Sequence, residues 1–240
     1  MLVLCVDWGG GGLMAEPNPE ELFDLGVKSI EAKDFTQAKK YFEKACDLKY
    51  GGGCGALGDL YDDGKGVEKN LIKAAYLYSK ACDLKEGLGC KRLWSLYYYG
   101  RGVEKNLIKA AQYASKACDL NNGGGCSNLG VLYQNGQVVE KDLTKAAYLY
   151  SKACDLKEGL GCFNLGASYY NGKGVEKDLT KAAYFYSKAC DLKEGMGCGN
   201  LGVLYYNGDG VKRDSKKADQ YFSKACKLGN QEACEALKEK

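Results

Sequence analysis

The chain has 240 residues with 34 basic and 31 acidic side chains, a net charge of +3 that is too small and too evenly spread for a nucleic-acid-binding face. It holds thirteen cysteines, thirty-three glycines, two prolines and no histidine. Without histidine it lacks the commonest general base, the usual zinc ligand and the partner of a serine or cysteine nucleophile, and no apolar run reaches the ~18–20 residues that cross a bilayer as a helix.

Residues 1–15, MLVLCVDWGGGGLMA, end in a Leu13-Met14-Ala15 stretch like the tail of a cleavage site. The segment lacks a basic start, carries Asp7 and offers about six consecutive apolar residues where ~7–15 are expected. It reads as a degenerate signal peptide, whose removal would take Cys5 with it. Residues 19–49 then form a tight helical hairpin, the first helix opening at Pro19, a first-turn proline, and the second running from about Phe35 to Leu48.

A repeat governs everything after that. Twelve cysteines form six pairs eight residues apart: Cys46 with Cys54, Cys82 with Cys90, Cys118 with Cys126, Cys154 with Cys162, Cys190 with Cys198, and Cys226 with Cys234. The first members recur every 36 residues. In the unit Phe163–Cys198, Leu165, Gly166 and Tyr169 lie on a helix A that stops at Asn171-Gly172. After a short loop, Asp178 caps a helix B whose Ala182, Ala183, Tyr186, Ala189 and Leu192 recur at helical spacing. The expected architecture is an all-α solenoid of hairpins at about 19–49, 51–85, 87–121, 123–157, 159–193 and 195–229, closed by a polar helix at 231–240. Gly166 with Ala182 and Ala189 marks where the two helices approach, and Tyr169 and Tyr186 fill the space beside them.

Each cysteine pair spans the turn from one helix B to the next helix A, a geometry suited to a disulfide. Closing a ring of about nine residues stabilises by roughly 2–3 kcal/mol on the loop-entropy model. Zinc sites instead favour cysteines two to four apart with histidine nearby. Disulfides are therefore expected at all six pairs, with no metal or cofactor, and with a secreted or periplasmic location.

The unit LGxxYxxGxGVxKDxxKAxxYxxKAC resembles the Sel1-like repeat, a relative of the tetratricopeptide repeat. With a disulfide following each hairpin, residues 16–240 resemble the Helicobacter cysteine-rich protein family. The resemblance implies a right-handed superhelix, secretion, antigenicity, and penicillin binding with slow β-lactamase activity.

Unit 91–126 departs from the pattern. Trp94 stands in the helix-A glycine slot, and Ala114 replaces the helix-B tyrosine found at Tyr78, Tyr150 and Tyr186. The expectation is a size exchange, the indole filling the volume of the missing phenol. Val138 stands where other units have Gly66, Gly102, Gly174 and Gly210, so that loop is expected to bend differently.

No serine begins a Ser-x-x-Lys motif, and the recurring Ser-Lys pairs (Ser79-Lys80, Ser151-Lys152, Ser187-Lys188) read as solvated helix faces. No catalytic residue can be named. The competing function is binding of an extended peptide or peptidoglycan fragment, or of host proteins, by a monomer whose helix-A side chains line a concave face. The position before Leu-Gly holds Asn128, Asn164 and Asn200, with Ala56 and Arg92 earlier, and asparagine amides match a peptide main chain. Tyr98, Tyr170 and Tyr206 add amphipathic contact area. The plainer alternative makes the asparagines solvent-facing and the tyrosines inter-repeat core. The alternating charges of VEKN and VEKD are solvated loops.

Overall fold

A computed structural model describes residues 18–138 and 140–238, and their regular structure is thirteen α-helices. These are α1 (Pro19–Glu31), α2 (Phe35–Asp47), α3 (Gly51–Asp63), α4 (Leu71–Asp83), α5 (Gly87–Tyr99), α6 (Leu107–Asp119) and α7 (Gly123–Asn135). There follow α8 (Leu143–Asp155), α9 (Gly159–Asn171), α10 (Leu179–Asp191), α11 (Gly195–Asn207), α12 (Ser215–Lys227) and α13 (Gln231–Lys238). From α1 to α12, odd-numbered helices are A and even-numbered helices are B. The segment read as a degenerate signal peptide, residues 1–15, lies outside the described residues.

Local chemistry sets the helix ends. Asn18 caps α1, with Pro19 in its first turn. The side chains of Asp34, Asn70, Asn106, Asp142, Asp178 and Asp214 each accept a hydrogen bond of 2.8–2.9 Å from the backbone N–H three residues on, opening the B helices. From α3 onward the A helices stop at Gly64, Gly100, Gly136, Gly172 and Gly208, all left-handed.

The B helices stop without glycine. Lys49, Lys85, Asn121, Lys157 and Lys193 take φ of 57–64°, and only the last unit has Gly229 there. At Val138 itself the backbone does not bend differently, contrary to expectation. Val138 adopts φ 71°, inside the 66–76° range of Gly66, Gly102, Gly174 and Gly210. The same hairpin closure is thus imposed on a β-branched residue, which takes on the steric cost of the left-handed region.

Each A helix packs against its own B helix and, from α3 onward, against the B helix before it, and successive A helices touch one another. The A helices therefore form the inner wall of the curved stack, with the B helices outside.

The recurring spacing of glycine and tyrosine is a lock between the helices of one hairpin. A Cβ on Gly58, Gly130 or Gly166 would lie 2.7, 2.6 or 2.8 Å from the ring of Tyr78, Tyr150 or Tyr186. The glycine makes room for the ring, which reaches across the hairpin beneath helix A. Trp94 and Ala114 invert this arrangement. Ala114 is fully buried, and Trp94 packs on the cluster that contains Ala114, Cys118 and Leu129. Its ring stacks on Tyr98 at 5.1 Å. The size exchange holds, at the expense of an indole N–H that is buried with no partner among the described residues.

All six cysteine pairs are disulfides, with Cα–Cα distances of 4.4–4.7 Å. Five join the last turn of one B helix to the first turns of the next A helix, so neighbouring hairpins are covalently held, and the sixth ties α12 to the closing helix α13.

Candidate functional site

One row of helix-A positions, repeated at the 36-residue spacing, follows the inner wall. In α3 these include Ala56, Asp59 and Asp62; one repeat on, in α5, Arg92, Ser95 and Tyr98; in α7, Asn128, Val131 and Gln134; in α9, Asn164, Ala167 and Tyr170; in α11, Asn200, Val203 and Tyr206. One register thus changes chemistry along the wall.

Toward the N-terminus the wall is ionic. The Tyr78 hydroxyl emerges beneath helix A and donates a 2.6 Å hydrogen bond to Asp59. Arg92 grips the same carboxylate through two contacts, Nε at 3.0 Å and a terminal nitrogen at 3.2 Å. One step along, Arg101 reaches Asp62 at 2.6 Å. Burial raises the Tyr78 phenol far above its ordinary value, and the bond to Asp59 adds to the rise. Arg92, expected among the ligand-binding residues, is thus engaged by a residue of the preceding repeat.

Toward the C-terminus the wall is neutral. Tyr150 donates to the Gln134 amide oxygen at 3.2 Å. Burial raises the Tyr186 phenol, and a hydrogen bond with the Asn200 side chain offsets part of that rise. Asn200, Tyr170 and Tyr186 line one cavity of about 270 Å³ between α9 and α11, together with Ala167, Asn171, Val203 and Leu204. Tyr206 on this stretch is 46% exposed.

Asn128, Asn164 and Asn200 are all half-buried, neither fully open nor sealed. Tyr98 does something else: it stacks on Trp94 and donates to the Gln137 side chain at 3.3 Å. In the Ser187-Lys188 pair, the Lys188 ammonium lies 4.9 Å from the Tyr184 ring centroid. No group of three or more potential metal ligands occurs among the described residues, and none of their helices is long and apolar enough to cross a membrane.

One group on the wall is not apparent from the repeat consensus. Around Ala56 and Asp59 lies a second cavity of about 320 Å³, bounded by Phe23, Tyr50, Gly52, Gly55, Glu86, Leu88 and Arg92. The sequence does hold a signal for it. Tyr50 occupies the helix-A N-cap position that holds Glu86, Asn122, Glu158, Glu194 and Asn230 elsewhere.

The Sel1 repeat family matches the chain at residues 22–50, 53–86, 87–122, 124–158, 159–194 and 196–230. Among curated proteins, HcpC of Helicobacter pylori (strain J99) is 68% identical over 63 residues, 26% of this chain and 22% of that protein. The protein named Beta-lactamase HcpA of the same strain is 59% identical over 63 residues, 26% of this chain and 25% of that one. The matched stretch is thus about a quarter of the length of these relatives or less. Among solved structures, a Sel1 repeat protein from Oxalobacter formigenes superposes with a TM-score of 0.82 at 28% identity, covering 90% of this chain and 86% of that one. A protective antigen present in uropathogenic Escherichia coli strains gives 0.79 at 28% identity, covering 92% of this chain and 48% of that chain. Hairpin geometry, repeat length, the disulfide after each hairpin and six successive family matches agree: this chain is a member of the Sel1 repeat family, of the kind found in the Helicobacter cysteine-rich proteins.

Proposed function

We propose that the protein is a secreted or periplasmic binding module whose inner wall holds an extended peptide, or the peptide part of a peptidoglycan fragment, over α7, α9 and α11. The observation that carries this is the cavity between α9 and α11, where the Asn200 and Asn171 amides stand beside the apolar surfaces of Ala167, Tyr170, Val203 and Leu204. Such a mixture suits a main chain that needs hydrogen-bond partners and side chains that need apolar area. Asn128 and Asn164 continue the amide row at the preceding repeats, and Tyr206 extends it past the cavity. Six disulfides support an oxidising compartment. They also hold the wall rigid, so little ordering entropy is lost on the protein side when a ligand binds.

The test is titration of the oxidised protein with arrays of extended peptides and with muropeptides. Saturable binding that is lost in Asn200→Ala and Asn164→Ala, and retained in Arg92→Ala, supports the module. Binding indifferent to both asparagines overturns it.

A second reading, penicillin binding with slow β-lactam hydrolysis, is favoured by one observation, the name carried by the relative HcpA. Lacking both histidine and Ser-x-x-Lys, the chain offers no residue to assign to the step. Turnover of a chromogenic β-lactam that stays with the protein through successive columns, and its response to a serine-directed acylating agent, decides the matter.

A further inference from the structure

We infer that the cavity at the first inter-repeat junction, between α1, α3 and α5, is a separate binding site for a cationic side chain, the guanidinium of arginine or the ammonium of lysine on a peptide or protein partner. The inference goes beyond the peptide reading above: the site lies at the other end of the wall and uses none of the asparagines.

Four observations converge on this cavity. First, it is carved by three small residues that coincide in no other unit, although Gly124 and Gly199 repeat two of them singly. Gly52, Gly55 and Ala56 stand where the next unit has Leu88, Lys91 and Arg92, and Gly55 corresponds to Phe163 in the type unit. A Cβ on Gly55 would meet nothing closer than the Ala81 Cβ at 3.9 Å, so the floor of the cavity is open.

Second, its wall is aromatic. Phe23 and Tyr50 lie 5.5 Å apart between ring centroids, tilted by 56°. Gly52 lets them close, since a Cβ there would come within 2.8 Å of the Tyr50 ring and 3.5 Å of the Phe23 ring.

Third, Tyr50 is at odds with its local role. Glu86, Asn122 and Glu194 each accept a backbone N–H from the first turn of their A helices; Glu158 and Tyr50 make no side-chain cap, and only Tyr50 puts a ring in place of a carboxylate or amide. Helix α3 forgoes that capping bond and gains a ring facing a cavity. Departures from local rules of this kind concentrate at functional sites.

Fourth, the charge is one-sided. The charged lining residues are Asp59, Glu86 and Arg92, and Arg92 is held by Asp59. That leaves Glu86, one of whose oxygens is used by the Leu88 N–H. Glu20 and Asp24 of α1 add to the negative field, and all three carboxylates help to hold the Tyr50 phenol above its ordinary value, after burial itself. An aromatic face beside an excess of carboxylate attracts a guanidinium or ammonium, with the methylene stem against Leu88 and the rings.

The experiment uses the full oxidised chain, isotope-labelled, with four blocked amino acids as probes: Nα-acetyl-arginine amide, Nα-acetyl-lysine amide, Nα-acetyl-norleucine amide and Nα-acetyl-glutamate amide. Amide chemical shifts are followed during titration. The arginine or lysine probe is expected to bind at least about fivefold more tightly than norleucine, shifting the resonances of Gly52, Gly55, Leu88 and Gly89. Glu86→Gln, which keeps the acceptor for Leu88, should weaken binding about threefold to tenfold and flatten its salt dependence. Gly55→Phe, a residue the same helical position already accepts at Phe163, should abolish it while circular dichroism stays unchanged. Asn164→Ala and Asn200→Ala should leave it intact, so this site and the asparagine wall fail or stand separately. Equal binding of norleucine or glutamate, shifts confined to other repeats, or undiminished binding in a folded Gly55→Phe protein overturns the inference.

Discussion

The two ends of the inner wall share a fold, a register and a 36-residue spacing, yet they solve the same chemical problem differently. At the N-terminal end, the hydroxyl that emerges from beneath helix A meets a carboxylate, and an arginine from the next repeat completes the set: Tyr78, Asp59 and Arg92. At the C-terminal end the corresponding hydroxyls meet amides, Tyr150 with Gln134 and Tyr186 with Asn200. Ionic groups this close satisfy one another and leave little for a main chain to bind, whereas an amide, which carries both donors and an acceptor, still has partners to offer after making one bond. A repeat protein can therefore keep its scaffold constant and divide its inner wall into regions of different use.

The largest expected effect tests the unit at the boundary between the two ends. Trp94→Gly should cost about 3–5 kcal/mol, as loss of a large aromatic opposite an alanine does. Adding Ala114→Tyr should restore most of it, with a coupling energy of up to about 3 kcal/mol in the double-mutant cycle measured by urea unfolding. Strict additivity would mean that indole and alanine do not share one volume.

Next, removing the central disulfide through Cys118→Ala with Cys126→Ala should destabilise by roughly 2–3 kcal/mol. If the two ends then melt in separate transitions, the covalent staple is what makes them one cooperative unit.

The comparison itself is sharpened by two conservative changes. Tyr78→Phe removes a bond to a carboxylate and should cost about 1.5–3 kcal/mol, against about 0.5–1.5 kcal/mol for Tyr150→Phe, whose acceptor is neutral. Equal costs would erase the distinction. A pH signature accompanies the first. The folded Tyr78 phenol is raised above the ordinary value of 10.0, so the unfolded chain gives up this proton first. The contribution of Tyr78 to stability is complete below about pH 10 and falls as pH rises beyond it. Tyr78→Phe should reduce that alkaline slope.

The smallest expected effect is a gain. Val138→Gly relieves a β-branched side chain at φ 71° and should stabilise by on the order of 1 kcal/mol, strain relief being partly offset by the greater freedom of glycine in the unfolded chain. Thermal melting of the two proteins checks it.

Much of this was legible from residue order, for a physical reason. Caps, stops and disulfides depend on side chains within a few positions of the backbone they serve. Asp178 three residues before the N–H it accepts, Gly172 in a left-handed stop, and Cys190 eight before Cys198 are short-range facts. The left-handed lysines that end the B helices carry no such short-range signal, because lysine seldom marks a left-handed residue. Gly229 at the matching place in the last unit was the available clue. Val138 shows the converse. Composition suggested a different bend, but the closure of the hairpin dictates φ there and the side chain complies.

What residue order determined by itself is therefore the hairpin, its length, its staples and the stacking that a single hairpin cannot avoid if its apolar face is to be buried. Which partners meet across the stack was decided only in three dimensions. Asp59 finds Tyr78 nineteen positions on and Arg92 thirty-three on, and Phe23, Tyr50, Gly55 and Glu86 gather from three helices around one cavity. Those contacts depend on how far each ring or small residue lets the neighbouring helices approach, and that distance is set by packing across repeats rather than by the order of residues within one.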